Sequence, residues 1–137
     1  MNRILKYIVL PFLIASACQQ LPSEEKKLYE EVMFIHDEVM PKTKNIYRKS
    51  KALKSMVSEK TDNMKNKQIS KILDQLDQAD KAMFDWMAAF KKKNDFEEGY
   101  DYQAYLASEK IRIQAVADAM NSSLANAEQF INDHQNE

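Results

Sequence analysis

Glycine, cysteine and histidine are almost missing from this chain: one glycine, one cysteine and two histidines in 137 residues. A single cysteine excludes an internal disulfide framework and every zinc site built from several thiolates. A single glycine, Gly99, removes the phosphate-cradling loops and dinucleotide fingerprints that need several. No H-E-x-x-H occurs. His36 is the one histidine outside the C-terminal tail, so no nucleophile–base pair can be recognised, and the chain reads as a non-enzyme. Charge of one sign is lacking too: the formal net charge is −1, which leaves no footprint for nucleic acid as a partner. No strand alternation, long internal repeat or low-complexity segment is present. After position 11 only Pro22 and Pro41 are proline, so turns are few and elements long.

What is present begins with a leader. Arg3 and Lys6 precede the apolar run from Tyr7 to Ile14, and Ala15-Ser16-Ala17 bring small residues up to Cys18. A basic start, a short apolar core and small residues before a cut make a secretory signal. The run is too short to span a membrane, and Pro11 interrupts it. The order resembles a bacterial lipoprotein signal, with Ala15 standing where such signals more often carry Leu. That resemblance implies a leader over 1–17, cleavage before Cys18, a diacylated thiol carrying palmitate-like chains, and an acylated new amine. Several acyl chains hold durably, at about 0.8 kcal/mol per buried methylene. An ordinary signal cut near Ala17 is the alternative. Losing Arg3 and Lys6 with the leader takes the 20 basic side chains to 18 against 21 acidic. With Cys18 acylated, no thiol remains for chemistry. Residues 18–22 form a tether.

Residues 23–132 are expected to form one all-α domain, an elongated up-down-up bundle of three long helices, followed by a frayed tail over 133–137. Ser23 can cap the first helix, which is expected to run to Ser58 with Val32, Val39, Ile46 and Leu53 seven apart. The phase survives Pro41, which predicts a kinked continuous helix. A break into two helices, four in all, stays open because Met40 precedes proline. The second helix is expected over 68–92, where Ile69, Ile72, Leu76, Ala79, Met83, Trp86 and Phe90 step by three and four. Thr61–Lys67 reads as the polar connection before it and Asn94–Asp101 as the one after it. The third helix is expected over 102–132, with Leu106, Ile113, Met120 and Ala127 seven apart.

Short connections make consecutive helices antiparallel. A turn centred near Asn63–Met64 sets Lys49, Lys51 and Lys54 near Asp74, Asp77 and Asp80. It sets Asp37 and Glu38 near Lys91–Lys93, Trp86 opposite Pro41, and Met87 level with Met40. Met33, His36 and Met40 share a face of the first helix; Met83 and Met87 share one of the second. Thioethers with one imidazole suit Cu(I), and a haem axial pair is the related alternative. Core filling by methionine competes with both and is the preferred reading. A His36–Asp80 hydrogen bond across the pair is a further expectation. The candidate binding residues are thus His36, Met40, Asp80, Met83, Trp86 and Met87, with no cofactor assigned. His134 is expected to be exposed in the tail. The basic stretch Lys42–Lys60 suits anionic head groups, an acidic partner, or a solvated face answering the aspartates of the second helix. The last is preferred. Tyr100, Tyr102 and Tyr105 form a small aromatic cluster that suits a protein or glycan contact; packing of the second connection against the bundle end is the preferred reading.

The stretches Val32-Met33-Phe34-Ile35-His36-Asp37-Glu38-Val39-Met40-Pro41-Lys42 and Ala79-Asp80-Lys81-Ala82-Met83-Phe84-Asp85-Trp86-Met87 resemble a group of small Bacteroidota lipoproteins. Some of these carry a label of similarity to viral A-type inclusion proteins, which reflects coiled-coil-like composition. The resemblance implies no activity. It does imply that the His36–Pro41 and Asp80–Met87 levels belong together. The expected function is a structural or protein-binding helical module in a Gram-negative envelope, at the outer rather than the inner membrane. Its expected partners are the membrane, through Cys18, and another envelope protein.

Overall fold

The computed structural model describes residues 23–57 and 62–134. The leader, Cys18, the tether and the residues after His134 lie outside them. The described residues form α1 (Glu24–Val39), α2 (Thr43–Met56), α3 (Asn63–Ala89) and α4 (Tyr102–Asp133), with 3-10 turns at Met40–Lys42 and Lys93–Asp95. There is no strand among them. This is the all-α bundle of long helices read from the sequence, α1 and α2 forming its first long limb.

Capping starts each limb. Ser23 Oγ accepts from the Lys26 N–H at 3.2 Å, Asp62 from Met64 N–H at 3.2 Å, and Asp101 from Ala104 N–H at 2.9 Å. Each satisfies an amide that has no partner inside its helix. Pro41 cannot donate to the carbonyl of Asp37, and the chain answers with one tighter turn. Met40 and Thr43 keep right-handed helical angles, and both the N–H and the hydroxyl of Thr43 bond the Met40 carbonyl. Met40 is thus not displaced from helical geometry by the proline that follows it.

α4 is the central element, packed against α1, α2 and α3. Its pairing with the first limb is parallel. Lys110 bonds Glu31 and Lys42 bonds Asn121, each across 79 residues. Lys49 reaches Glu128 at the same separation. A constant difference on both sides of Pro41 means that the 3-10 turn costs no register. Val32, Val39, Ile46 and Leu53 are all buried, as are Ile69, Leu76, Ala79, Met83 and Trp86 of α3. They close on Ile113, Met120 and Ala127 of α4.

Three boundaries differ from the sequence expectation. The first limb ends at Met56. α3 begins at Asn63, inside the stretch read as a polar connection, because Asp62 supplies the cap. It ends at Ala89, where Phe90 turns to an extended conformation and seats its ring against Tyr29, Trp86 and Tyr105. Moving the turn back toward Val57 shifts the facing positions of α1 and α3. Trp86 therefore meets His36, not Pro41, with ring centroids 5.6 Å apart. Lys93 pairs with Glu25 at 2.8 Å instead of with Asp37 or Glu38.

The second connection folds onto the end of the bundle where α1 starts. Gly99, with φ of +87°, makes the turn that other residues would resist. Phe96 then stacks on Tyr100 at 4.2 Å and meets Tyr105 at 4.9 Å. At the other end, His134 is not exposed. α4 runs far enough to stack its ring on Phe130, four residues back, at 4.3 Å, with Nδ1 2.8 Å from the Phe130 carbonyl oxygen.

Candidate functional site

The six residues singled out in the sequence fall into three environments. Met83 and Trp86 are buried on the core seam of α3. His36 and Met40 are half-buried on the first limb, while Met87, on the outer flank of α3, is 39% exposed. Asp80 lies in the groove between α2 and α3, lined also by Ile46, Tyr47, Ser50, Lys54, Leu73, Asp74 and Asp77.

His36 keeps its ring against Trp86 and its Nδ1 2.9 Å from Asp37 Oδ1. The expected His36–Asp80 hydrogen bond is not formed. Asp80 shares its groove with Ile46 and Tyr47, some ten residues along the first limb from His36. Burial and the charge of Asp77 push the Asp80 carboxyl above the usual carboxylate range. Asp80 Oδ1 is buried without a hydrogen-bond partner, and so is the indole nitrogen of Trp86. Lys54 lines the same groove as the three aspartates, as expected, but pairs with none. Lys49 turns to Glu128 on α4, and Lys51 faces outward.

One ionisable group was not singled out from the sequence. Glu109 is 2% exposed on the core side of α4. Its Oε1 accepts from Arg112 at 2.7 Å, while Oε2 has no partner. The signal was available: Tyr102, Leu106, Glu109 and Ile113 step by four, three and four.

No family model, curated protein or solved structure matches the chain. Its own side chains must carry the reading. Among the described residues, no three of histidine, cysteine, aspartate and glutamate converge as a metal site. No helix of the described residues is long and apolar enough to cross a membrane.

The flank between the first limb and α3 carries exposed apolar side chains. Tyr47 is 70% exposed and Phe84 49% exposed. Asp77, Asp80, Phe84 and Met87 form one stripe along α3, stepping by three, four and three beside the core seam. Tyr47, Phe84 and Met87 thus leave apolar surface in water beside charged side chains.

Proposed function

We propose that this chain is a lipid-anchored protein of a bacterial envelope, tethered through Cys18 to the outer membrane, and that its bundle is a non-enzymatic protein-binding module. The reading agrees with the small Bacteroidota lipoproteins that the sequence resembles. For the anchor, the support is the order of leader, small residues and Cys18, with the first helix capped five residues later at Ser23. For the binding role, the observation that carries it is the α2–α3 flank, where Tyr47, Phe84 and Met87 stay exposed beside charged side chains that find no partner. Interface cores favour tyrosine, phenylalanine, methionine and arginine.

The full chain expressed in a Gram-negative host with labelled palmitate tests the anchor. Label in the membrane fraction, lost with Cys18→Ser, is the expected result; label that survives the substitution overturns it. A photo-crosslinking phenylalanine analogue at Tyr47 or Phe84 tests the binding role. Protein adducts at these positions are expected, and their absence from both removes the reading of this flank.

A further inference from the structure

Two rows of charge on the α2–α3 flank are left unneutralised. On α2, Lys44 and Lys51 lie seven apart, exposed and turned away from the core residues Ile46 and Leu53, whereas Arg48 borders the α2–α4 groove with Lys49 and Glu128. Lys54 and Tyr47 lie beside Lys44 and Lys51 at the rim of the α2–α3 groove. On α3, Asp74 and Asp77 are exposed along the opposite rim, and Asp80 reaches into the groove, which encloses about 380 Å³.

Ion pairs do join other helices, as in Lys49–Glu128, Lys110–Glu31 and Lys93–Glu25. Among the described residues, Lys44, Lys51 and Lys54 form no ion pair, and neither do Asp74, Asp77 and Asp80. Asp80 Oδ1 is buried and lacks a donor altogether. The groove thus separates a basic wall from an acidic wall that stand too far apart to satisfy each other.

We infer that this flank is the interface of a parallel two-fold dimer whose partner is a second copy of this chain. The inference rests on the proposed binding role of the flank and names its occupant. A partner carrying one sign of charge satisfies one wall and meets like charge on the other. A second copy carries both. Of the two-fold axes that bring the flank face to face with itself, one running along the helices over the groove lays each basic row on the other copy's acidic row. An axis crossing the helices lays lysine on lysine and aspartate on aspartate. The favourable axis places Tyr47 near its own counterpart, with Phe84 and Met87 extending the apolar strip. It also leaves both N-termini at the same end, the arrangement that two copies anchored in one membrane require.

Cross-linking of the full chain in envelope membranes tests the geometry. Under mild oxidation, Tyr47→Cys is expected to give a disulfide-linked species of twice the monomer mass. Ile111→Cys, exposed on the outer side of α4, is expected to give none. In the Tyr47→Cys background, reversing Lys44, Lys51 and Lys54 to Glu is expected to weaken self-association by roughly a hundredfold, from several like-charge contacts. Reversing Asp74 and Asp77 to Lys does the same, and combining both sets restores the dimer. Recovery in the combined variant, with helical circular dichroism kept throughout, separates a lost interface from a lost fold. Equal yields from Tyr47→Cys and Ile111→Cys overturn the dimer, as do yields indifferent to charge reversal. Adducts of Tyr47 with a different protein overturn the second copy while leaving the binding role standing. No protein adduct at either Tyr47 or Phe84 overturns both.

Discussion

Glu109 lies three residues after Leu106 and four before Ile113, on the seam that α4 turns to the core, where an apolar side chain is the ordinary occupant. It brings one hydrogen-bonded oxygen and one without a partner into a desolvated place. Removing a buried charge together with its need for a partner is often neutral or stabilising, whereas removing the partner alone is costly. Arg112 is about half exposed and can return to water. Glu109→Leu should therefore raise the urea midpoint, by about 1 kcal/mol in stability. Arg112→Ala should lower stability by about 3 kcal/mol, because it strands the carboxylate. Equal destabilisation by both would show that the carboxylate does more in the core than the structure accounts for. Asp80 makes a second residue-scale prediction. Its folded carboxyl titrates above the ordinary value, so between the two values the folded chain holds a proton that the unfolded chain has released. Stability from this group therefore rises as pH falls through that window, and the penalty is fully present above it. Asp80→Asn should stabilise the dilute protein at neutral pH, and its advantage should shrink as the medium is acidified. Burial of Met83 and Trp86 was legible from the seam spacing. The partner of His36 was not, because Asp80 sits beside Ile46 and Tyr47, too far along the limb, while Asp37, the next residue, offers an acceptor at 2.9 Å.

At the scale of elements, the α3 seam was readable because Ile69 to Phe90 keep a strict step of three and four. The start of α3 was not, because residues 63–67 carry no apolar period. That segment caps on Asp62 and extends beyond the last core layer, so nothing in its hydrophobic pattern announces a helix. The capping aspartate was the available signal. Pro41 shows the opposite case. The sevenfold spacing of Val32, Val39, Ile46 and Leu53 already implied that the limb continues, and the constant separation from α4 on both sides of the proline agrees. The proline is exposed and its neighbours keep helical angles. Alanine there can therefore restore the missing bond to the Asp37 carbonyl without disturbing the core. Pro41→Ala should stabilise the bundle by about 1 kcal/mol. That is less than the full penalty of about 3 kcal/mol for proline inside a helix, since the 3-10 turn already relieves part of it and proline restricts the unfolded chain. A lowered urea midpoint would mean that the tight turn is itself needed for the packing of α1 and α2 on α4.

For the whole molecule, the up-down-up course followed from few turns and short connections, yet the sequence did not reveal which helix is central. The first limb and α3 have the cleaner seams. The structure makes α4 the shared partner, packed against α1, α2 and α3. Its buried positions spread accordingly, from Leu106 and Glu109 through Ala117 and Ser123 to Phe130 and Ile131, and this breadth blurs any single stripe. Position in the bundle then decides the order of local opening. Amides of α1 or α3 can be released by opening one flank, whereas those in the middle of α4 require both flanks to part. Amides from Leu106 to Ala127 should therefore exchange with solvent only through global unfolding, with protection equal to the free energy from urea titration. Those of Lys92–Tyr100 should exchange fastest, because few backbone bonds secure that loop. Hydrogen exchange read by mass spectrometry distinguishes the cases. If α3 proves slower than the middle of α4, the stability of the bundle is centred on the α2–α3 hairpin, and the flank proposed to bind a second copy would be its most rigid part.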